Sequence, residues 1–203
     1  MSFRKERKFR LTYYQAQKLK AQLYSNGLEI LHPKRQVTSI YFDTSKFDMF
    51  CESEEGVMPR KKIRIRWYDK QINFTKETKI SSIEGRFKTT IKNCDFANEE
   101  EIRCSTLFEP TYGLLKPVLK VSYSREYFQL NRMRLTIDSN ICYENLGSID
   151  NMFMKDPEQV MELKIPDFLS DDYYQQVIPY PTTRFSKYCR GVLLSCDNKK
   201  NFI

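Results

Sequence analysis

The sequence predicts an α+β protein built on an antiparallel sheet that closes into a barrel, with helices flanking the outside. Several segments alternate apolar and charged residues, which is typical of strands with two different faces. The chain has 13 Tyr and 14 Phe but only 6 Gly among 203 residues, which favours close cross-strand packing. With 40% hydrophobic residues it is long enough for one core, and we expect a single domain over residues 1–203.

The segment KKIRIRWY shows the alternation most clearly. It divides into a cationic and an apolar face, which are Lys62, Arg64 and Arg66 against Ile63, Ile65 and Trp67. Six further segments are predicted as strands, several of them with the same separation of polar and apolar faces: Phe3–Leu11, Ile72–Ile80, Gly85–Lys92, Val118–Leu130, Met133–Tyr143 and Val160–Ile165. In a barrel the apolar faces pack outward against helices, while the charged faces line the bore. Because so many like charges repel, such a bore would hold water and a polyanion.

The remaining elements follow from turn and capping signals. Thr12 followed by Gln15 predicts a capping box for a helix over Tyr13–Asn26, ended by Gly27. His32 and Pro33 predict a turn between two short strands, which would make the single histidine a turn residue and not a catalytic base. The two short strands are Leu28–Leu31 and Gln36–Asp43, a short helix covers Ser45–Glu54, and a last helix over Thr183–Cys196 is interrupted by Gly191.

Charge and composition limit the partners. The net charge is +8 and the sequence pI is about 9.1, which indicates an anionic partner such as nucleic acid, an acidic membrane face or a phosphate compound. Nucleic-acid binding is disfavoured because Trp67 lies on the face opposite Arg64 and Arg66, where it cannot stack on a base held by those arginines.

The six cysteines are scattered without a C-x-x-C pair, which argues against structural zinc. The opening residues MSFRKERKFR contain no apolar h-region, and no apolar run approaches the roughly 18 residues that a membrane span needs. We therefore expect a cytoplasmic protein with reduced thiols and no transmembrane segment. This expectation is compatible with a membrane-bound partner.

Short motifs in a fixed order give the chain a family resemblance. They are RKERKF near the start, YFDT at 41–44, KKIRIRWY, ETK at 77–79, YSREYF with RLTID, MELK at 161–164 and FSKYCRG near the end. With these motifs the chain resembles the VTC-type polyphosphate polymerase domain of the triphosphate tunnel metalloenzyme superfamily. The resemblance implies an eight-stranded antiparallel tunnel that binds ATP or another triphosphate through its phosphates, with Mn²⁺ or Mg²⁺ as cofactor. It also implies transfer of the terminal phosphoryl group of ATP onto polyphosphate.

The resemblance also assigns roles to individual residues. The catalytic residues it implies are Lys8, Arg64, Arg66, Lys79 and Lys187. The substrate-binding residues it implies are Arg125, Arg134, Lys164, Ser186 and Lys88, and the metal ligand is Glu162. Phosphoryl transfer relies on positioning and charge neutralisation, so arginines and lysines around a bound metal suit this chemistry.

One departure from the superfamily pattern concerns the opening Glu-x-Glu-x-Lys motif. Here it reads Arg4, Glu6 and Lys8, and the lost carboxylate favours the polymerase branch over a two-metal hydrolase. A second departure concerns Arg125, which strict alternation groups with Tyr123 and Tyr127. Either a bulge re-aims this arginine or another residue points inward.

Several residues keep a plainer alternative role. Asp138 either caps a turn or binds metal, and Glu77 is expected to pair with a neighbouring lysine in preference to binding metal. We expect Glu126 to pair with an inward arginine and not to act as a general base, and Glu162 is either a metal ligand or a structural ion-pair partner. At the level of function, the alternatives to a polymerase are a metal-dependent triphosphatase and a non-catalytic polyphosphate sensor.

Overall fold

The computed structural model describes residues 4–69, 73–147 and 153–200. The described strands are β1 (Arg4–Leu11), β2 (Glu29–Asp43), β3 (Arg60–Tyr68), β4 (Thr75–Ser82), β5 (Gly85–Ile91), β6 (Leu107–Glu109), β7 (Gly113–Leu130), β8 (Met133–Asn145), β9 (Phe153–Lys155) and β10 (Gln159–Pro166). The described helices are α1 (Tyr13–Ser25), α2 (Asp48–Glu55), α3 (Glu99–Cys104), α4 (Asp171–Val177) and α5 (Lys187–Lys200). No helix in these ranges has the length and apolar character needed to cross a membrane.

The strands pair in the order β1-β10-β8-β7-β2-β3-β4-β5, and β6 and β9 pair with β7 and β8. The ladders with a defined register are antiparallel, which confirms the predicted α+β class and antiparallel sheet. The predicted closure is wrong. The order begins at β1 and ends at β5, and no pairing within the described ranges joins these two strands into a ring.

The chain divides into two compact units. The first contains residues 4–36, 123–141 and 156–185, and the second contains the other described residues. The prediction of a single domain over residues 1–203 stays a prediction.

In the first unit, β10 lies between β1 and β8. Alternate residues of β10 point to a polar and an apolar face. On the polar face, Glu162 lies between Lys8 of β1 and Thr136 of β8. The next row, Phe9, Met161 and Ile137, is fully buried in the core. Leu19 and Leu23 of α1 belong to the same core. Helix α1 begins as predicted, since Thr12 and Gln15 form both hydrogen bonds of a capping box.

The second unit is organised around β2, β3, β4 and β5. Ile63, Ile65 and Trp67 enter a core that also contains Met49 of α2 and Ile102 of α3. Their neighbours on β3 lie on the other face, so the division of KKIRIRWY into an apolar and a cationic face is confirmed.

Several predicted element boundaries are wrong. Residues 29–43 form one continuous strand, so His32 and Pro33 lie within β2 and not in a turn. The His32 ring instead contacts the Tyr127 ring edge-on, with centroids 5.8 Å apart. The last helix begins at Lys187 instead of residue 183 and continues through Gly191. The predicted strand start at Ile72 lies outside the described residues. Helix α4 and strands β6 and β9 were not predicted from the sequence.

Candidate functional site

A group of basic side chains occupies the polar face of β3, β4 and β5 in the second unit. We define this cationic cluster as Lys62, Arg64, Arg66, Lys79 and Lys88. Lys79 lies opposite both Lys62 and Lys88, so three lysines form one row across the sheet. The two arginines follow at intervals of two residues along β3. Alternation along the strands therefore brings four predicted site residues, Arg64, Arg66, Lys79 and Lys88, onto one face. Lys62, which was not among the predicted site residues, lies on the same face.

Glu77 is the buried carboxylate within the cationic cluster. Its Oε2 accepts from Arg64 Nε at 2.7 Å and Nη2 at 2.5 Å, and Arg66 Nη1 lies 3.6 Å away. Lys88 Nζ pairs with Oε1 of the same carboxylate. Burial acts to raise the pKa of Glu77, but Arg64 and Arg66 outweigh it and lower the pKa to about 2. Glu77 is thus ionised, and its expected pairing with a neighbouring lysine is confirmed by the contact with Lys88. Its contacts with the two arginines were not predicted.

The two arginines are also held by neighbours on β2. Arg66 is buried and its Nε donates to Ser39 Oγ at 3.1 Å. Arg64 Nη1 donates to Tyr41 Oη at 2.8 Å. Sequence reasoning assigned no role to Ser39 or Tyr41, although Tyr41 lies in the YFDT motif. The register that places each opposite an arginine could have identified them, had the strand pairing been known.

Ser186 and Lys187 lie at the start of α5, where the resemblance implies a phosphate clamp. Ser186 Oγ accepts from Lys62 Nζ at 2.9 Å and from the backbone N–H of Cys189 at 3.3 Å. The second bond is the usual capping bond from the third helical residue. The structure therefore connects the start of α5 with Lys62 of the cationic cluster, while the roles of Ser186 and Lys187 stay predictions.

In the first unit, charged residues follow the polar face of β1, β10 and β8. Glu6, Lys164 and Arg134 form one row, and Lys8, Glu162 and Thr136 form the next. Lys8 Nζ donates to the Phe185 carbonyl at 3.0 Å and lies 3.4 Å from Glu6 Oε1. Lys164 Nζ lies 3.4 Å from Glu162 Oε1. The register thus brings together the four predicted site residues Lys8, Arg134, Glu162 and Lys164.

Arg125 is paired with a buried carboxylate, and the substrate-binding role that the resemblance implies for it stays a prediction. Its Nε and Nη2 donate to Oδ1 and Oδ2 of Asp138 at 2.6 and 2.8 Å. Burial acts to lower the pKa of Arg125, but Asp138 outweighs it, so the guanidinium stays charged. Asp138 is the buried partner of Arg125.

Side chains of β7 near Arg125 alternate between the two faces of the sheet. The Arg125 guanidinium lies 5.2 Å from the centroid of the Tyr123 ring, on the same face. Glu126 points to the opposite face and accepts from Lys20 Nζ of α1 at 2.8 Å, so the expected arginine partner for Glu126 is wrong. No re-aiming of Arg125 is required, because the polar face of β7 carries Tyr123 and Arg125 together.

The polar face of the first unit suits a divalent cation in one respect. Glu6 and Glu162 occupy diagonal positions on β1 and β10, which are close enough for long side chains to meet. The buried Thr136 Oγ1 opposite Glu162 has no hydrogen-bond partner among the described residues. No cluster of three or more His, Cys, Asp or Glu side chains occurs within these ranges. One or two carboxylates with phosphate oxygens and water is, however, the usual coordination of Mg²⁺.

Solved structures of other proteins share this fold. One is a proposed adenylate cyclase from Bacillus halodurans, which is 15% identical with a TM-score of 0.59, over 91% of this chain and 94% of that one. A Pyrococcus horikoshii protein is 11% identical with a TM-score of 0.58, over 92% and 99%. A proposed adenylyl cyclase from Hippeastrum, described as having a dominant triphosphatase activity, is 15% identical with a TM-score of 0.52, over 93% and 95%. At these identities the likeness defines the fold class alone.

The family follows from a separate comparison. The family model of the VTC domain matches residues 3–196. Because the match spans nearly the whole sequence, the chain belongs to the VTC domain family, which confirms the resemblance seen in its motifs. A comparison with curated proteins gave no match.

Proposed function

We propose that the protein is a polyphosphate polymerase, which transfers the terminal phosphoryl group of ATP onto a polyphosphate chain. The observation that carries this proposal is the cationic cluster. Five basic side chains share one face with a carboxylate whose charge Arg64 already neutralises. The cluster therefore keeps an excess of positive charge, which is suited to a chain of linked phosphates. Membership of the VTC domain family supports the same reaction.

The residues of the cluster fit the needs of phosphoryl transfer. The reaction requires that the attacking and leaving oxygens lie in line and that negative charge on the transferred group is stabilised. Arg64 and Arg66 are held in fixed orientations by Glu77, Tyr41 and Ser39, so they stabilise charge with little reorganisation. Lys79 and Lys88 are exposed, and their flexible ammonium groups can follow phosphates that move.

We assign the cofactor site to the polar face of the first unit. Glu162, with Glu6 as its diagonal neighbour, would hold Mg²⁺ or Mn²⁺. When bound, the metal supplies neutralisation of phosphate oxygens. Lys8 Nζ lies 3.4 Å from Glu6 Oε1, and Lys164 Nζ lies 3.4 Å from Glu162 Oε1. Lys8 also fixes the segment before α5 by donating to the Phe185 carbonyl.

A triphosphatase is the second candidate. Two observations favour it, namely the presence of both Glu6 and Glu162 on neighbouring strands and the triphosphatase activity described for the Hippeastrum protein of the same fold. The two functions use the same phosphate contacts and differ in the attacking group, which is water in one case and a terminal phosphate in the other.

The test is incubation of the purified protein with ATP and Mn²⁺, with and without a short polyphosphate primer. We expect chains longer than the primer on a gel, and we expect them to be lost in Glu162→Gln. The same substitution at an exposed glutamate, Glu54→Gln, is the matched control and should retain full activity. Release of free phosphate alone would identify a triphosphatase. Triphosphate binding without turnover would identify a sensor and would overturn both enzymatic proposals.

A further inference from the structure

Tyr41 is a buried residue in direct contact with the cationic cluster. It lies opposite Arg64 in the β2–β3 ladder and is only 6% exposed. Its Oη accepts from Arg64 Nη1 at 2.8 Å, and the guanidinium carbon lies 5.6 Å from its ring centroid. Together with the two bonds to Glu77, this contact fixes the plane of the Arg64 guanidinium.

A second tyrosine holds Tyr41 in place. The rings of Tyr41 and Tyr188 are stacked, with centroids 5.0 Å apart and an interplanar angle of 17°. The Tyr188 hydroxyl donates to Asp43 Oδ2. Asp43 also accepts from the backbone N–H groups of Thr44, Met49 and Phe50, so it is anchored to the first turn of α2. A buried network from α2 and α5 therefore determines where the Tyr41 ring lies.

We propose that Tyr41 is a positioning residue of the phosphate site, whose neutral hydroxyl orients Arg64 and whose ionisation weakens anion binding. The proposal rests on the proposed role of the cationic cluster in binding phosphates. It adds to that role a coupling between two equilibria: protonation of Tyr41 affects anion binding, and anion binding affects protonation of Tyr41. Tyr41 does not have to contact the anion, because it acts through Arg64.

The charges around Tyr41 support this dependence. Burial acts to raise its pKa, but Arg64 and Arg66 of β3 and Lys79 of β4 outweigh it and lower the pKa to about 8. Glu77 of β4 is the acidic group near the same arginines, and Lys88 of β5 pairs with it. On the other side, the pKa of Tyr188 is raised by burial and by Asp43, so Tyr188 keeps its proton. Tyr41 is therefore the tyrosine of this network that ionises near pH 8.

The sign of the effect follows from charge. A tyrosinate at position 41 adds a negative charge beside Arg64 and Arg66, so it reduces their attraction for phosphate. A bound polyanion in turn disfavours the tyrosinate and raises the pKa of Tyr41. Binding above pH 8 therefore takes up one proton from solvent, and the affinity falls by up to about tenfold per pH unit.

The test uses tripolyphosphate as the probe and titration calorimetry between pH 7 and pH 9. Buffers of different ionisation enthalpy report the protons taken up on binding. For the unaltered protein we expect uptake that approaches one proton by pH 9 and an affinity that falls above pH 8. In Tyr41→Phe, which keeps the ring and the stacking, we expect weaker binding at pH 7 with little uptake and a flatter pH profile.

A matched control is Tyr112→Phe. The Tyr112 hydroxyl donates to Glu52, and burial and that carboxylate raise its pKa, so this variant should keep both the uptake and the pH profile. A second readout is the tyrosinate absorbance of the protein without ligand, which should show one group titrating near pH 8 that Tyr41→Phe lacks. Tight binding with the same pH profile in Tyr41→Phe would overturn the role of Tyr41 alone. Failure of the unaltered protein to bind tripolyphosphate would overturn the proposed function as well.

Discussion

Glu77 is the residue on which the cationic cluster depends for its own stability. Its Oε2 lies 2.5 Å from Arg64 Nη2 and 3.6 Å from Nη1 of the buried Arg66, so it compensates positive charge at both arginines. Uncompensated buried charges are strongly destabilising. The low pKa of Glu77, about 2, is the thermodynamic measure of how strongly the folded state prefers the ionised form.

The first prediction concerns acid stability. Because folding lowers the pKa of Glu77 from 4.5 to about 2, its ionisation contributes about 3 kcal/mol to the free energy of unfolding above pH 4.5. This contribution is lost as the pH falls from 4.5 towards 2. Glu77→Gln should therefore be less stable than the unaltered protein at pH 7, and the difference should shrink below pH 4.5. Urea unfolding at a series of pH values measures it, with Glu54→Gln as the exposed control. A difference that is independent of pH would contradict the assignment.

Much of the candidate site could be predicted at the residue scale, because alternation alone places Arg64 and Arg66 on one face. The partners of these residues could not be predicted. Tyr188 and Asp43 are 145 residues apart in sequence, and nothing local to either one indicates their contact. The pairing of Arg125 with Asp138 likewise depends on how β7 and β8 align. Tertiary register, which a single sequence does not encode locally, decides these contacts.

Helix α5 shows how close packing can override a local signal. Gly191 lowers helix propensity and led to the prediction of an interrupted helix, yet α5 runs through it. A Cβ atom at this position would lie 2.6 Å from Leu119 Cδ2 and 2.6 Å from Tyr143 Cδ1. Glycine is needed here because β7 and β8 approach the helix closely, and not because the helix must break.

The second prediction follows from this contact. Gly191→Ala should destabilise the protein by about 1–3 kcal/mol through overpacking, despite the gain of up to about 1 kcal/mol in helix propensity. Thermal unfolding measures the change. Leu193→Ala, at a more exposed position of the same helix, is the control and should cost less. A Gly191→Ala variant as stable as the unaltered protein would show that Leu119 and Tyr143 can move aside.

Strand β2 was predicted less well than β3 for a physical reason. Residues 29–36 of β2 are mostly exposed on both faces, so they lack the period of two that identifies a half-buried strand. Pro33 reinforced the prediction of a turn. The buried half of the same strand, residues 37–43, was predicted correctly because its apolar residues belong to a core.

At the scale of the whole molecule, charge is the dominant property. The chain carries a net charge of +8, and the exposed cations attract any polyanion through a potential that salt screens over about 10 Å at 0.1 M. The sequence alone established this excess, but not which of its 34 Lys and Arg residues share one face.

The third prediction is a steep salt dependence of tripolyphosphate binding. The dissociation constant should rise several-fold between about 0.05 and 0.2 M KCl, because exposed charges are screened. Lys88→Gln should reduce the slope, since Lys88 lies on the polar face of the sheet. Lys61→Gln is the matched control, because Lys61 is also paired with a glutamate, Glu109 at 2.6 Å, but belongs to the other face of β3. An affinity that does not change with salt would contradict binding by the cationic cluster.

The position of β5 has a consequence for motion. This strand ends the sheet order, and all its residues except Gly85 are exposed. Segments with so little buried apolar surface open more readily than the core, at a small cost in free energy. We expect each such opening to separate Lys88 from Glu77, while Arg64 on the interior strand β3 stays in place. The cluster therefore combines arginines on an interior strand with Lys88 on the strand that ends the sheet order, and we expect the contact of Lys88 with Glu77 to open more often than that of Arg64.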